Sequence, residues 1–142
     1  MPTVRKSVFV PRPPGDVFDY LANFENTAEW DPGVVDATKT SSGPVALGST
    51  FDLVANFRGR KVPVSYAVTV YDPPNRVVLV GKNKQFTGTD DIGVSPDGDG
   101  TRVSWNATFQ MEGIARLFAP FLGGVFEKLS QEAMDGLVET LG

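Results

Sequence analysis

The sequence predicts an α+β fold in which a curved antiparallel sheet is covered by one long C-terminal helix. Between Thr3 and Met111 most segments alternate apolar and polar residues, which is the pattern of half-buried strands. Short turns rich in Gly, Pro and Asp join consecutive segments, as expected of antiparallel neighbours. In the final stretch, residues 113–141, apolar residues recur at three- and four-residue spacing, which indicates a helix. The apolar face of the sheet needs a cover, and this helix is the obvious candidate.

Seven strands and three helices are predicted along the chain. The first strand covers Thr3–Val10 and ends at a proline cluster, residues 11–14. Two short helices follow, at Asp16–Leu21 and Asn23–Trp30, and Pro32 stops the second. The other six strands are predicted at residues 34–40, 49–57, 61–71, 76–82, 86–95 and 101–111. Because no linker, repeat or low-complexity segment interrupts this order, we expect a single domain over residues 1–142.

Composition restricts the chemistry that is open to this chain. Its 142 residues are 41% hydrophobic and 21% charged, as in globular proteins. The net charge of −4 argues against a nucleic-acid partner, which needs a basic surface. The chain has no Cys and no His, which excludes thiol nucleophiles, Ser-His-Asp catalysis and the common zinc sites. We therefore predict no metal and no cofactor, and any acid–base chemistry must use Asp, Glu, Lys, Tyr or water.

The expected location is the cytoplasm. The N-terminal residues MPTVRKSVFVPRPP lack the apolar stretch of a signal peptide. No segment approaches the ~20 apolar residues of a membrane span, so we expect no stable membrane insertion. The sequence gives no indication of the oligomeric state.

Four segments carry a resemblance to a known family. They are residues 13–21 (PPGDVFDYL), Trp30-Asp31-Pro32, residues 68–79 (VTVYDPPNRVVL) and residues 98–105 (GDGTRVSW). In this order and spacing they resemble the helix-grip superfamily of START-like and pollen-allergen-like proteins, and more closely its polyketide cyclase/dehydrase branch, often labelled SRPBCC. The resemblance implies a curved seven-stranded sheet that grips the C-terminal helix, with a pocket between them for lipids, polyketides or other apolar molecules. It also implies that Trp30 packs on the core near one end of the grip.

This resemblance suggests a cavity wall built from the inward faces of the strands and of the helix. Its polar members would be Tyr66 and Asp90. Its apolar members would be Phe51, Leu53, Phe57, Phe86, Trp105, Phe109, Phe118, Leu122, Val125, Phe126 and Leu129. For any single one of these, ordinary core packing is the more common explanation. Three small residues of the helix, Gly124, Ala133 and Gly136, either leave space beside the large rings or permit close helix–sheet approach.

Asp90 is the polar residue best suited to acid–base chemistry or ligand binding in such a cavity. It shares strand parity with Ile92 and Val94, so it points inward if Ile92 does. A carboxyl in an apolar cavity would have a raised pKa and could act as an acid, a base or a hydrogen-bond anchor. The alternative places Asp90 at the open end of the sheet, solvated or paired with Lys or Arg. We favour that alternative because charges are rarely buried. Asp91 cannot complete a catalytic pair, because neighbouring strand residues point to opposite faces.

Two features interrupt the C-terminal helical pattern. Proline within a helix bends or restarts it, and Pro120 lies inside the pattern, followed by Gly123-Gly124. We therefore predict that Ile114–Leu122 is a separate piece beside the mouth of the pocket.

Three functions are compatible with these observations. The first is a binding or carrier module for an apolar small molecule. The second is an enzyme of the polyketide cyclase/dehydratase type, with Asp90 and Tyr66 as the candidate catalytic residues; the lack of His counts against it. The third is an interaction module like the chaperone ATPase activators of the same superfamily. The sequence does not decide whether any reaction is catalysed.

Overall fold

A seven-stranded antiparallel sheet curls around a C-terminal helix in the computed structural model, which describes residues 3–57, 59–113 and 119–142. The strands are β1 (Thr3–Val10), β2 (Val34–Lys39), β3 (Thr50–Phe57), β4 (Arg60–Asp72), β5 (Arg76–Lys82), β6 (Phe86–Asp97) and β7 (Gly100–Met111). Their order in the sheet is β1-β7-β6-β5-β4-β3-β2. Strands β2 to β7 form a meander, and β1 pairs with the last strand of that meander. The predicted fold class is confirmed.

Two short helices connect β1 to β2. Helix α1 (Pro14–Ala22) begins with a proline, which the first turn of a helix tolerates, and buries Val17, Phe18 and Leu21. Helix α2 covers only Thr27–Trp30, because a separate 3₁₀ turn precedes it at Phe24–Asn26. The side chain of Asn23 accepts a hydrogen bond from the backbone N–H of Glu25 (3.2 Å) and so begins this turn. The single helix predicted over Asn23–Trp30 is therefore two elements.

The described part of the C-terminal helix, α3, covers Ala119–Leu141. Its backbone is helical through Gly123 and Gly124, so the interruption predicted there is wrong. Two glycines cost a helix about 2 kcal/mol in intrinsic propensity, which the burial of its apolar face offsets. The rest of the predicted separate piece, residues 114–118, falls outside the described residues. Within the described ranges, no helix is long and apolar enough to cross a membrane.

A β-bulge in β4 changes which side chains face the core. The register with β5 shifts between Val68 and Val70. Val68 is buried, and beyond the bulge it is Tyr71 that packs on the core, with its ring centroid 5.6 Å from that of Phe18. The sequence predicts Val70 in the inward row, because simple alternation gives no sign of an extra residue.

The core fills only part of the concave face of the sheet. A large cluster that includes Val103 of β7 and Leu137 of α3 packs at the end of the sheet nearest α1. A much smaller cluster, Val4, Met111 and Phe126, lies towards the other end. The inward row of β7 runs from the first cluster to the second, and the side chains between them border a cavity.

Candidate functional site

A cavity of about 270 Å³ lies between the concave face of the sheet and α3. Its size is near the lower end of the range for small-molecule pockets. Strands β1, β3, β4, β6 and β7 contribute to the wall, together with the segment from Phe24 to Val34 and with α3. The wall is largely apolar. Its members include Val4, Lys6, Phe24, Thr27, Trp30, Asp31, Leu53, Phe57, Tyr66, Phe86, Asp90, Trp105, Phe109, Phe126, Leu129 and Ala133.

The structure brings nine of the wall residues predicted from the sequence together around this cavity. They are Leu53, Phe57, Tyr66, Phe86, Asp90, Trp105, Phe109, Phe126 and Leu129. Phe51 has the inward parity but is fully buried in the core, with its ring centroid 6.1 Å from that of Phe24, so it does not line the cavity. Val125 does not line it either. Phe118 and the side chain of Leu122 lie outside the described part of the chain.

An aromatic cluster closes one side of the cavity and holds α3 on the sheet. The ring of Phe126 stacks on that of Phe109, with centroids 4.1 Å apart and planes 6° from parallel. Phe57 adds a tilted contact to Phe126 at 6.2 Å. Such pairs contribute about 0.5–1.5 kcal/mol each beyond the area they bury. The helix is thereby tied to both β7 and β3.

Asp90 faces the cavity. Its Oδ1 accepts a hydrogen bond from the indole Nε1 of Trp105 at 3.0 Å, across a diagonal of the β6–β7 ladder. Loss of water raises the pKa of Asp90 to about 6; the indole N–H opposes this rise and the nearby Asp31 carboxylate adds to it. The solvated or ion-paired position that we favoured from the sequence is therefore wrong. Strand parity decides the matter, since Ile92 two residues on is fully buried.

Asp31 is a second carboxyl at the cavity and was not among the wall residues predicted from the sequence. It follows α2 directly, and its backbone N–H donates to the Thr27 carbonyl oxygen at 2.9 Å. Its Oδ1 accepts from the N–H of Gly33 at 2.8 Å. Burial raises the pKa of Asp31 to about 6, opposed by the Gly33 N–H and supported by the charge of Glu132 on α3. The available signal was a carboxyl directly after Trp30, an aromatic residue expected to be buried.

Tyr66 supplies a hydroxyl to the same cavity. It pairs with Gly81 across the β4–β5 ladder, and a Cβ at Gly81 would lie 2.5 Å from Cε1 of the Tyr66 ring. The ring also meets the edge of Phe24, with centroids 5.1 Å apart. Burial, together with the charges of Asp90 and Asp31, raises the pKa of Tyr66 well above its ordinary value. The hydroxyl therefore stays protonated at neutral pH and can donate a hydrogen bond.

Both tryptophans of the chain border the cavity. The ring of Trp30 packs against that of Trp105 in an edge contact, with centroids 5.2 Å apart. Trp30 also belongs to the main core cluster, as the resemblance implied. Because both tryptophans lie in the wall, tryptophan emission can follow the binding of a ligand in this cavity.

The three small residues of α3 have different roles. A Cβ at Gly136 would collide with the backbone carbonyl oxygen of Trp30, so Gly136 allows α3 to approach α2 closely. Ala133 lines the cavity, where its small side chain leaves space. Gly124 is exposed, and a Cβ there would meet no atom within 4 Å. Both explanations offered from the sequence therefore apply, each to a different residue.

One cation belongs to the described lining. Lys6 of β1 forms an ion pair with Glu127 of α3, which ties the first strand to the helix. Asp31 and Asp90 make no ion pair with any group in the described ranges. Those ranges also contain no group of three or more side chains placed to hold a metal ion.

Fold and cavity together define a helix-grip protein, a curved sheet closed over a C-terminal helix with a space between them. The chain belongs to the family described as polyketide cyclase / dehydrase and lipid transport, which it matches over residues 1–142. The resemblance found in the sequence is thereby confirmed.

The chain is also similar to individual proteins. The uncharacterized proteins Rv1546 and MT1597 of Mycobacterium tuberculosis are 32% identical over 89 residues, a match that spans 61% of this chain and 61% of theirs. The Zhui aromatase/cyclase from Streptomyces sp. R1128 superposes with a TM-score of 0.82 at 14% identity, covering 98% of this chain and 92% of that one. A START superfamily protein from Mycobacterium smegmatis gives 0.77 at 16% identity, covering 99% of both chains. At these identities the structural likeness shows the fold.

Proposed function

We propose that this protein binds an apolar small molecule, such as a lipid or a polyketide, in the cavity between the sheet and α3. The observation that carries the proposal is a largely apolar, aromatic-walled cavity of about 270 Å³ that contains only a few polar groups. Ligand pockets have this composition, because apolar walls supply affinity and a small number of polar groups fix orientation. Membership of a family that includes lipid transport supports the same function.

Binding can be tested by filling the cavity. Ala133→Phe adds a ring to the wall, whereas Val138→Phe adds the same ring at an exposed position of the same helix. We expect the neutral dye Nile red to bind the wild type and Val138→Phe alike, with increased dye emission and quenched tryptophan emission. Ala133→Phe, checked for folding by circular dichroism, loses both signals. Equal dye binding by all three proteins would contradict the proposal, and so would no binding by any of them.

A second candidate function is proton-transfer catalysis on a bound carbonyl compound. The specific observation is that two carboxyls with pKa values of about 6 share the cavity with a protonated Tyr66 hydroxyl. Aldol cyclisation and dehydration need a proton acceptor beside a carbonyl and a donor for the developing oxyanion or leaving hydroxyl. In this proposal Asp90 accepts the proton and Tyr66 donates one.

The test of this second function is deuterium exchange at the carbon next to the carbonyl of an aryl ketone such as tetralone. We expect the wild type to accelerate exchange over buffer. Asp90→Asn should lower the enzymatic rate by about a hundredfold or more. Asp91→Asn, one residue along and paired with Arg76 on the outer face, should leave it unchanged. Equal rates for the wild type and Asp90→Asn would remove the catalytic role.

A further inference from the structure

The charges that border the cavity are unbalanced. Asp31 and Asp90 are both in the wall, and within the described ranges neither is in an ion pair. Lys6, the cation of the described lining, is already paired with Glu127. With pKa values of about 6, both carboxyls are mainly ionised at neutral pH. An occupant of the cavity therefore meets negative charge that no described side chain neutralises.

The free hydrogen-bonding groups point to the same kind of occupant. One oxygen of each carboxylate accepts an N–H from the protein, and the second oxygen of each makes no hydrogen bond with a described group. The Tyr66 hydroxyl is likewise unpaired among the described residues, although its ring packs against Gly81 and Phe24. Thr27, another wall residue, is only 4% exposed, and its hydroxyl oxygen has no partner in the described ranges. Ionised carboxylates only accept hydrogen bonds, so the free oxygens of Asp31 and Asp90 suit a ligand that brings donors.

We propose that the cavity takes an apolar molecule whose polar end is a protonated amine, held by the carboxylates of Asp31 and Asp90. This inference rests on the proposed binding function and narrows its ligand class. An ammonium group supplies a positive charge and up to three donors for the two free carboxylate oxygens. An alcohol would supply a donor without the charge. A fatty acid or a phosphate would bring a like charge into an apolar space, which is strongly unfavourable.

The test compares three ligands that share one apolar cage and differ only at the polar end: adamantylmethylamine, adamantylmethanol and adamantanecarboxylate. The cage does not absorb where tryptophan does, so calorimetry and tryptophan emission can both follow binding. Near neutral pH we expect the amine to bind about tenfold or more tightly than the alcohol, because hydrogen bonds to charged groups are the stronger ones. The carboxylate should bind most weakly.

Matched variants assign the effect to the two carboxyls. Asp90→Asn and Asp31→Asn should each weaken binding of the amine by about tenfold and leave binding of the alcohol unchanged. Asp91→Asn removes a neighbouring charge on the outer face, where Asp91 pairs with Arg76. It should change the affinity of neither ligand.

A pH series on the wild type tests the same inference without variants, so the result holds even if a variant fails to fold. The ionisable groups that face the two carboxyls are Tyr66, which stays neutral, and Glu132, together with the Lys6–Glu127 pair. Amine affinity should fall as the pH drops from about 7 to about 5 and the carboxyls take up protons, while alcohol affinity stays constant.

The outcomes separate this inference from the function on which it rests. The amine class is overturned if the alcohol or the carboxylate binds as tightly as the amine, or if amine affinity is independent of pH. In either case, Nile red binding would still support an apolar ligand. If none of the three cages binds, the amine class is also overturned, and the Nile red result alone decides whether the binding function survives.

Discussion

At Asp90 opposing effects determine the pKa of the carboxyl. The apolar cavity and the charge of Asp31 favour the protonated form, whereas the indole N–H of Trp105 favours the charged form. The result is a pKa of about 6, against an ordinary value of 3.8. A carboxyl with that pKa exchanges protons readily near neutral pH, which suits either an anchor for a cation or a general base.

Replacing Trp105 by Phe should raise the pKa of Asp90 above about 6. The substitution removes the N–H that donates to Oδ1 at 3.0 Å and so removes the interaction that stabilises the charged form. The measurement is a pH titration of the Asp90 carboxyl carbon by NMR. Trp30→Phe is the matched control, since it changes the ring that packs on Trp105 but not the hydrogen bond. An Asp90 pKa that is unchanged or lowered in Trp105→Phe would show that the indole does not hold the carboxylate.

Gly81 positions the Tyr66 ring, and Gly81→Ala should displace it. The new Cβ would lie 2.5 Å from the ring carbon Cε1, so the ring must move or the strands must separate, at a cost of about 1–3 kcal/mol in unfolding free energy. Gly88→Ala, on the neighbouring strand β6, is the control, because its Cβ would lie at an ordinary 3.7 Å from the nearest atom. Urea denaturation measures both. Equal stability of the two variants would mean that Tyr66 is not held by this contact.

Strand parity indicated the direction of single residues of the site, although the rarity of buried charges led us to favour the wrong position for Asp90. Asp90 follows Ile92 inward, and Asp91 pairs with Arg76 on the outer face. Parity does not reveal how deep the core extends along a strand, which is why Phe51 was assigned to the cavity wall although it is fully buried. Strand parity also gives no information about the direction of side chains in loops. Asp31 reaches the cavity through a short turn after α2, and no periodic pattern records that direction.

Among the elements, α3 makes contacts of two kinds with its surroundings. Near one end of its described part, aromatic stacking of Phe126 on Phe109 spans the distance to the sheet. Further along, Gly136 permits backbone-level contact with the end of α2 at Trp30. Large rings connect the helix to the sheet in the first region, and a missing side chain permits its close approach to α2 in the second. The cavity lies under the stretch between them, where Ala133 is small.

Two glycines of α3 should respond in opposite directions to alanine. Gly124→Ala adds a methyl group that meets no atom within 4 Å, so helix propensity alone acts and stabilises the protein by about 1 kcal/mol. Gly136→Ala gains the same propensity, but its Cβ collides with the Trp30 carbonyl, and separating α3 from α2 should cost about 1–3 kcal/mol. Thermal denaturation of both variants is the measurement. Stabilisation by Gly136→Ala would show that the helices do not depend on this close approach.

Element boundaries and order were largely predictable, and local irregularities were not. Short turns with strong Pro, Gly and Asn signals place strands such as β5 correctly, because turn chemistry is local. The bulge at Val68–Val70 is different, because it depends on how β4 pairs with a strand further along the chain. The helix through Gly123-Gly124 likewise depends on tertiary burial, which overrides weak propensity.

For the whole molecule, the uneven filling of the concave face determines where function can lie. Well-packed residues such as Ile92 and Leu137 form a core at one end, which can hold the fold while the other end stays partly hollow. The hollow part contains Asp31 and Asp90, two carboxyls for which no described residue forms an ion pair. The cavity and its negative charge are therefore one feature. A ligand that occupies the cavity should therefore stabilise the whole fold in proportion to its concentration and affinity.

Ionisation of Asp31 and Asp90 should make the ligand-free protein less stable as the pH rises through the acid range. Asp31 and Asp90 have pKa values of about 6 in the folded protein, raised from an ordinary value of 3.8. Between these values the folded state binds more protons than the unfolded state, so unfolding free energy falls as the pH rises and levels off above about pH 7. Each carboxyl contributes a loss of about 3 kcal/mol at most. Urea denaturation between about pH 4 and about pH 7 measures the slope.

Variants separate the effects of these two groups from those of the other carboxyls. Asp90→Asn replaces the desolvated charge by a neutral amide, so it should be more stable than the wild type near neutral pH and no more stable near about pH 4, where Asp90 is already protonated. The difference between the two curves isolates Asp90. Asp91→Asn, which loses an exposed ion pair with Arg76, should follow the wild-type slope. If Asp90→Asn and the wild type differ by the same amount at every pH, the Asp90 carboxylate is not desolvated, and neither the anchor nor the base role can rest on it.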